Sequence, residues 1–398
     1  MGRTLRRSFV LTCAALVSGV LAGCGVQGTP TAAEIDVRTL AVGQYPVDRH
    51  SYDGTASDKG ALAEGMRMSD AVVPATRIDP SLTVGSGGHV VADSTEATRH
   101  LLAVVSKPAL DQNKMIVGYV AGGSDKPGSM DGTATSVTDL VMRFPDESAA
   151  RAAARQLEDA DFGVAPDLNR KLTLPKYQDA LIHYRPGVPT VGAFMPYKQF
   201  VISLFIERPR SEEADLLAWV QKTLDAEVPA LEHFQATPQG VLASLPVDPG
   251  GLLARAVVKD RSNRTPDVDR FAVYGAPAFV TASSDMSNRQ HLVDDTGMDA
   301  IAIADNSSVM RVRDADAGAR LVNGMISSSG QQYDPADAPE GIPGAKCLAL
   351  NTTGDVKQDS KFRCFVPYRR YVEVLNANSH DDIEQRVNAA YALLANNF

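Results

Sequence analysis

The chain is short of positive charge. Its 39 Lys and Arg stand against 48 Asp and Glu, a formal net charge of −9 over 398 residues. A nucleic-acid surface needs clustered cations to displace the counterions on phosphates, so no nucleic-acid partner is expected. Long apolar runs are missing after residue 24. Nothing downstream approaches the roughly 18 continuous apolar residues of a membrane-spanning helix. Catalytic signatures are missing too: there is no Gly-x-Ser-x-Gly elbow, no His-Glu-x-x-His and no Gly-Lys-Ser/Thr phosphate loop. The seven His all stand more than four residues apart, so no local ligand pair exists. Asp294-Asp295 and Asp314-Ala-Asp316 lack the full pattern of a calcium loop. Neither a metal nor a cofactor is expected. The 44% hydrophobic content is that of a globular protein, which excludes disorder throughout. The length predicts two or three domains.

The N-terminus is the most informative segment. Arg3, Arg6 and Arg7 precede an uncharged, mostly apolar stretch, Phe9–Ala22. At 14 residues this is shorter than the ~20 a bilayer span needs, and it has the layout of a secretory signal. It ends in Leu21-Ala22-Gly23-Cys24, which resembles the lipobox of bacterial lipoproteins. That resemblance implies cleavage after Gly23 and acylation of Cys24, and so an anchor on the outer face of the cell membrane. The lipid would be of the diacylglyceryl or palmitate type. Arg6-Arg7 followed by Ser8-Phe9-Val10 also resembles a twin-arginine export signal, although Leu5 stands where Ser or Thr is usual. Loss of residues 1–23 removes three Arg and no acid, leaving −12. Such a body is repelled by anionic headgroups, and residues 24–36 have the polar, Gly- and Pro-containing composition of a tether.

Four Cys are present. Cys13 lies in the signal and Cys24 takes the lipid, leaving Cys347 and Cys364. An even pair in an oxidising compartment predicts a disulfide.

The rest of the chain is organised by a repeat. Val141-Met-Arg-Phe144, leading into Asp146 and an Ala-rich run, matches Val309-Met-Arg-Val312, leading into Asp314, at an offset of 168. Phe194-Met-Pro-Tyr197 with Phe200-Val201 matches Phe365-Val-Pro-Tyr368 with Tyr371-Val372 at an offset of 171. Two blocks in the same order at nearly the same offset imply two related halves. Each reads as strand–helix–strand–strand–helix. Asp146 and Asp314 are expected to cap helix starts, and Ser211 and Ser379 to open the last helix of each half. Hairpin-linked strands pair antiparallel. The expected fold is therefore α+β: two tandem related domains, each an antiparallel sheet with helices on one face.

The expected layout is a signal peptide over 1–23, a tether over 24–36, a first domain over 37–234, a linker over 235–251 and a second domain over 252–398. Cys364 aligns with Ala193, so the disulfide belongs to the second half alone. Gly85-Ser-Gly-Gly88 reads as a turn, Ala61–Val73 as a helix and Phe271–Val280 as a strand. The recurring Tyr197 and Tyr368 are either a paired aromatic platform for a glycan or lipid, or buried rings at strand ends, the usual place for aromatics. Arg143 and Arg311 should pair with an acid on a neighbouring strand, or else hold an anionic ligand.

The Leu-Ala-Gly-Cys box, Glu64-Gly-Met-Arg-Met-Ser-Asp70 with Asp79-Pro80, the Val-Met-Arg-Phe-Pro-Asp block and the twice-used Phe-x-Pro-Tyr block together resemble an uncharacterised family of envelope lipoproteins of mycobacteria, Nocardia and Rhodococcus. A more distant similarity is to extracellular sensor domains of mycobacterial receptor kinases. The family resemblance covers nearly the whole chain after the signal and implies no catalytic residues. The expected function is therefore a non-enzymatic, lipid-anchored binding module for an envelope lipid, glycolipid or protein. The rivals are an envelope hydrolase whose Ser, His and Asp meet only in space, and a sensor or accessory lipoprotein of a signalling or secretion system.

Overall fold

The computed structural model describes residues 35–128, 132–262 and 264–397. Arg6, Arg7, Cys24 and most of the expected tether lie outside the described residues. The first half begins with helices α1 (Gly60–Met68) and α2 (Ala75–Ile78). There follow β1 (Val84–Val91), α3 (Ser94–His100), α4 (Lys107–Gln112), β2 (Val117–Ser124), β3 (Ser136–Arg143) and α5 (Glu147–Phe162). It closes with β4 (Arg170–Leu172), β5 (Leu181–Tyr184), β6 (Thr190–Tyr197), β7 (Phe200–Glu207) and α6 (Glu213–His233). The second half runs β8 (Phe271–Gly275), α7 (Ala276–Thr281), α8 (Met286–Thr296), β9 (Ala300–Ala304), β10 (Ser307–Arg311) and α9 (Ala315–Ser327). It ends with β11 (Tyr333–Ala336), β12 (Lys346–Leu350), β13 (Phe362–Tyr368), β14 (Tyr371–Ala377) and α10 (His380–Asn396).

Each half holds one seven-stranded sheet, ordered β1-β2-β3-β7-β6-β5-β4 in the first and β8-β9-β10-β14-β13-β12-β11 in the second. Every pairing within both sheets is antiparallel. The two orders are the same topology, so the duplication reaches beyond the matching blocks to include a leading strand, a helix pair and a second strand. The fold is α+β with two tandem domains.

One expectation needs correction: the helices cover both faces of each sheet. Successive strand residues point to opposite faces, and here both sets are apolar. On β3, β6 and β7, Met142, Phe194 and Val201 pack with Ala153 and Leu157 of α5. Their neighbours Val141, Met195 and Ile202 pack with Val220 and Leu224 of α6. In the second half Met310, Phe365 and Val374 meet Leu321 of α9, while Val366 and Leu375 meet Val387 and Leu394 of α10. A sheet apolar on both sides must be covered on both sides.

The repeated motifs are structural joints. The Asp146 carboxylate accepts from Ala149 N at 2.9 Å and Asp314 from Ala317 N at 2.8 Å, capping α5 and α9. Ser379 caps α10, accepting from Asp382 N at 3.2 Å, whereas α6 starts from Glu212 rather than Ser211. The Phe-x-Pro-Tyr block is the end of a hairpin strand, joining β6 to β7 and β13 to β14. Lys198 and Arg369 occupy the same turn position, each with φ of 50°, so the backbone repeats even its left-handed residue. Cys347 and Cys364 are bonded and face each other across β12 and β13. Ile182 and Ala193 hold the equivalent places on β5 and β6.

Phe271–Val280 is not one strand. It divides into β8 and α7, with Pro277 in the first helical turn, where its missing N–H costs no helical bond. Gly85–Gly88 is not a surface turn but the bulged first half of β1. Residues 37–50, assigned by sequence to the first domain, pack on the second. Tyr45 is buried in the core under α10, its hydroxyl donates to Asp382 Oδ1 at 2.6 Å, and Asn396 Nδ2 donates to Val47 O at 2.6 Å. The tether expectation also runs slightly long, because Ile35 already packs against that core. Within the expected linker, Leu242 and Val247 are buried and Asp248 accepts from Leu253 N at 2.8 Å and Ala254 N at 2.9 Å. Ile35–Phe398 accordingly forms one compact unit.

Candidate functional site

The α9 face of the second sheet is incompletely filled. Ile301 on β9 stands opposite Met310 on β10, and Phe365 on β13 opposite Val374 on β14. Above them Phe279 of α7, Arg289 of α8, Met325 of α9 and the Gly88–Val90 stretch of β1 enclose a cavity of about 600 Å³. That volume falls among pockets that bind small molecules. Both halves contribute to its wall.

The reason for the space lies in how the repeat was used twice. In the first half the helix pair α3–α4 packs onto its own sheet, with Ala97 and Leu110 against Val91, Val120 and Leu140. Its counterpart α7–α8 leans toward the other half instead. Val280 and Met286 join the first half's core. Met286 N donates to Thr83 O at 2.9 Å, and Gly85 N to Ser284 O at 3.2 Å. The glycines of β1 permit this approach: a Cβ at Gly85 would collide with the Ser283 carbonyl, and one at Gly88 with the Thr281 hydroxyl. The helix pair thus serves as the joint between halves, and the face it leaves becomes the cavity.

The cavity wall joins an apolar patch on the second sheet to two guanidinium groups, Arg289 and Arg363. Arg289 lies with its guanidinium carbon 4.0 Å from the Phe279 ring centroid. Arg363 Nε donates to Asn376 Oδ1 at 3.1 Å, and its guanidinium carbon is 4.8 Å from the Tyr333 ring centroid. Among the described residues neither forms an ion pair. Burial, and secondarily the charge of Arg363, push Arg289 down to about 10 from the usual arginine value. Two acids also line the cavity. Glu96 Oε2 accepts from Ala92 N at 2.7 Å at the start of α3, and Asp269 is exposed.

The residues singled out in the sequence are mostly elsewhere. Tyr197 and Tyr368 belong to different cores and form no shared platform. Tyr368 is buried against Tyr391, the ring centroids 5.4 Å apart, while Tyr197 is half-buried beside Lys198. Arg143 is buried and pairs with Glu64 of α1, not with an acid on a neighbouring strand. Arg311 does find its acid beside the adjacent strand: its Nε lies 2.7 Å from Asp299 Oδ1, one residue before β9. Asp294 and Asp295 pair with Arg77 and Arg320. Among the described residues no cluster of three His, Cys, Asp or Glu could hold a metal, no hydrogen bond joins a Ser or Cys side chain to a His, and no helix is long and apolar enough to cross a membrane. Sequence reasoning missed both cavity arginines. The available signal was Arg363, placed by strand alternation on the same face as Phe365.

Among the described residues three further carboxyl groups are fully buried away from the cavity and, unlike Glu64, form no ion pair. Asp139 of β3 and Glu227 of α6 lie together, and burial raises both well above the ordinary carboxylate range; Glu227 Oε2 also accepts from Val73 N at 2.9 Å. Glu373 of β14 accepts from Val257 N at 2.7 Å and is pushed up to about 8 by burial. Their contacts are internal, and they fasten helix or loop to sheet.

No curated protein matches the chain. Among solved structures, the extracellular domain of PknH from Mycobacterium tuberculosis matches at 12% identity with a TM-score of 0.31, over 40% of this chain and 94% of that one. A likeness that low carries no argument. The two halves do match family descriptions: residues 51–247 the N-terminal domain, and residues 252–397 the C-terminal domain, of the domain of unknown function DUF7373. With both domains present in order, the chain belongs to the two-domain DUF7373 family.

Proposed function

We propose that this is a lipid-anchored envelope protein of the actinobacterial type, a non-enzymatic module that binds an envelope lipid or glycolipid. The observation that carries the reading is the cavity between the halves: about 600 Å³ in volume, with an apolar patch on the second sheet and polar or charged side chains, Arg289 and Arg363 among them, around it. Such a patch suits a hydrocarbon chain, whose burial yields about 25 cal/mol per Å². The location is supported by the Leu-Ala-Gly-Cys24 box and by the Cys347–Cys364 disulfide, a bond that persists in oxidising compartments. A diacylated Cys24 would hold the acidic body stably, since two chains anchor where one does so only marginally.

The test has two parts. The native protein should partition with membranes, and Cys24→Ser should release it or leave the signal uncleaved. Protein extracted from membranes should carry a stoichiometric lipid or glycolipid, seen by native mass spectrometry, that a cavity-filling Met325→Trp variant lacks. Membrane retention of Cys24→Ser with normal processing would refute the anchor. A lipid-free native protein would refute the binding reading.

A further inference from the structure

We infer that the cavity selects a single-chain amphiphile with an acidic head group, carboxylate or phosphate, and that Arg289 and Arg363 bind that head. The inference rests on the proposed binding function and narrows it to one chemical class. Its ground is a charge arrangement that the fold does not otherwise use. Most of the arginines in this structure are spent on internal partners: Arg143 on Glu64, Arg208 on Asp215, Arg264 on Asp305, Arg386 on Asp382. Arg289 and Arg363 line one cavity and, among the described residues, neither forms an ion pair; Asp285, whose carboxylate caps α8, acts on Arg289 only through its nearby charge. Each guanidinium stacks on a ring, Phe279 or Tyr333, which orients the planar group while leaving N–H donors free. Their place on one wall also sets like charges near each other: after burial, the charge of Arg363 is what lowers the Arg289 pKa. An anion between them relieves that repulsion and satisfies their donors in one step, and guanidinium groups match carboxylate and phosphate oxygens in fork geometry.

The rest of the wall names the tail. Ile301, Met310, Met325, Phe365 and Val374 offer hydrocarbon contact, with two flexible Met that adapt to a chain. The volume is that of a site for a drug-sized molecule, which fits one chain and excludes a full diacyl lipid. The acids on the wall form no ion pair with the arginines: Glu96 accepts from Ala92 N, and Asp269 faces solvent.

The experiment measures binding of three amphiphiles to the delipidated protein, below their critical micelle concentrations, by isothermal titration calorimetry: palmitate, lysophosphatidate and the neutral monopalmitoylglycerol. Charge-assisted hydrogen bonds are worth about 1.5–3 kcal/mol, so an acidic head should bind roughly 10- to 100-fold more tightly than the neutral one. Arg289→Gln with Arg363→Gln should abolish that preference while leaving the weak neutral binding. Arg289→Lys should restore part of it, and Met325→Trp should remove binding of all three. Which of palmitate and lysophosphatidate binds more tightly identifies the head group. Equal binding of acidic and neutral ligands, or indifference to the arginine substitutions, overturns the inference while the lipid-binding function stands. Absence of binding by all three overturns the inference, and together with a lipid-free native protein it overturns both. Unchanged melting temperatures of the variants show that the fold is intact.

Discussion

Glu64→Gln tests how the first half is tied together. Glu64 is fully buried on α1. Its Oε1 accepts from Arg143 and, at 2.9 Å, from Thr237 N. Its Oε2 accepts from Arg67 and, at 2.8 Å, from the Thr237 hydroxyl. One carboxylate thus joins α1, the end of β3 and the segment leaving α6. Glutamine keeps the shape, but it removes the charge and turns one acceptor into a donor aimed at other donors. Arg143, 3% exposed, would be left with no counter-charge. Removing one partner of a buried ion pair costs about 3–5 kcal/mol. At about 2–4 °C per kcal/mol for domains of this size, the melting temperature should fall by roughly 6–20 °C. The companion Glu64→Leu with Arg143→Met deletes both charges and should recover most of that loss, because apolar replacement of a whole buried pair is often neutral. Differential scanning calorimetry at pH 7 reads both variants. A fall of less than about 2 °C for Glu64→Gln, on the same scale, would show that Arg143 reaches water and would refute the reasoning.

The buried acids set an unusual pH dependence. Glu373 has a folded pKa of about 8, above its unfolded value, so the folded state holds the extra proton. Its contribution is complete below about pH 4.5 and is lost as pH rises through 8. Asp139 and Glu227 act in the same direction. Melting temperature should therefore decline from mildly acidic to alkaline pH, and Glu373→Gln should flatten the curve; a rise in stability over that range would contradict this. Reducing the disulfide, or Cys347→Ala with Cys364→Ala, should cost about 3 kcal/mol for the loop it closes, read as a lower urea midpoint. Gly85→Val should drive α7 from β1, lowering the melting temperature and exposing Ser283–Met286 to limited proteolysis. Gly240, with open space around its Cβ position, should accept Ala with little change.

The sequence by itself determined the repeat, the α+β class, the helix caps at Asp146, Asp314 and Ser379, and the disulfide. Each depends on chemistry local to the chain or on composition: a cap is satisfied by amides two or three residues away, and a pair of thiols in an oxidising compartment has one partner each. Only the tertiary structure decided the rest. Gly85–Gly88 has the composition of a turn, and only its pairing with β2 makes it a strand. Arg143 has the look of a strand residue seeking a strand partner, yet its acid comes from a helix 79 residues away in the chain. The cavity is subtler still. The two halves share one topology, and only the different packing of their helix pairs, a long-range competition between two apolar surfaces for the same helices, leaves one sheet face incompletely filled and brings Arg289 and Arg363 onto the cavity wall.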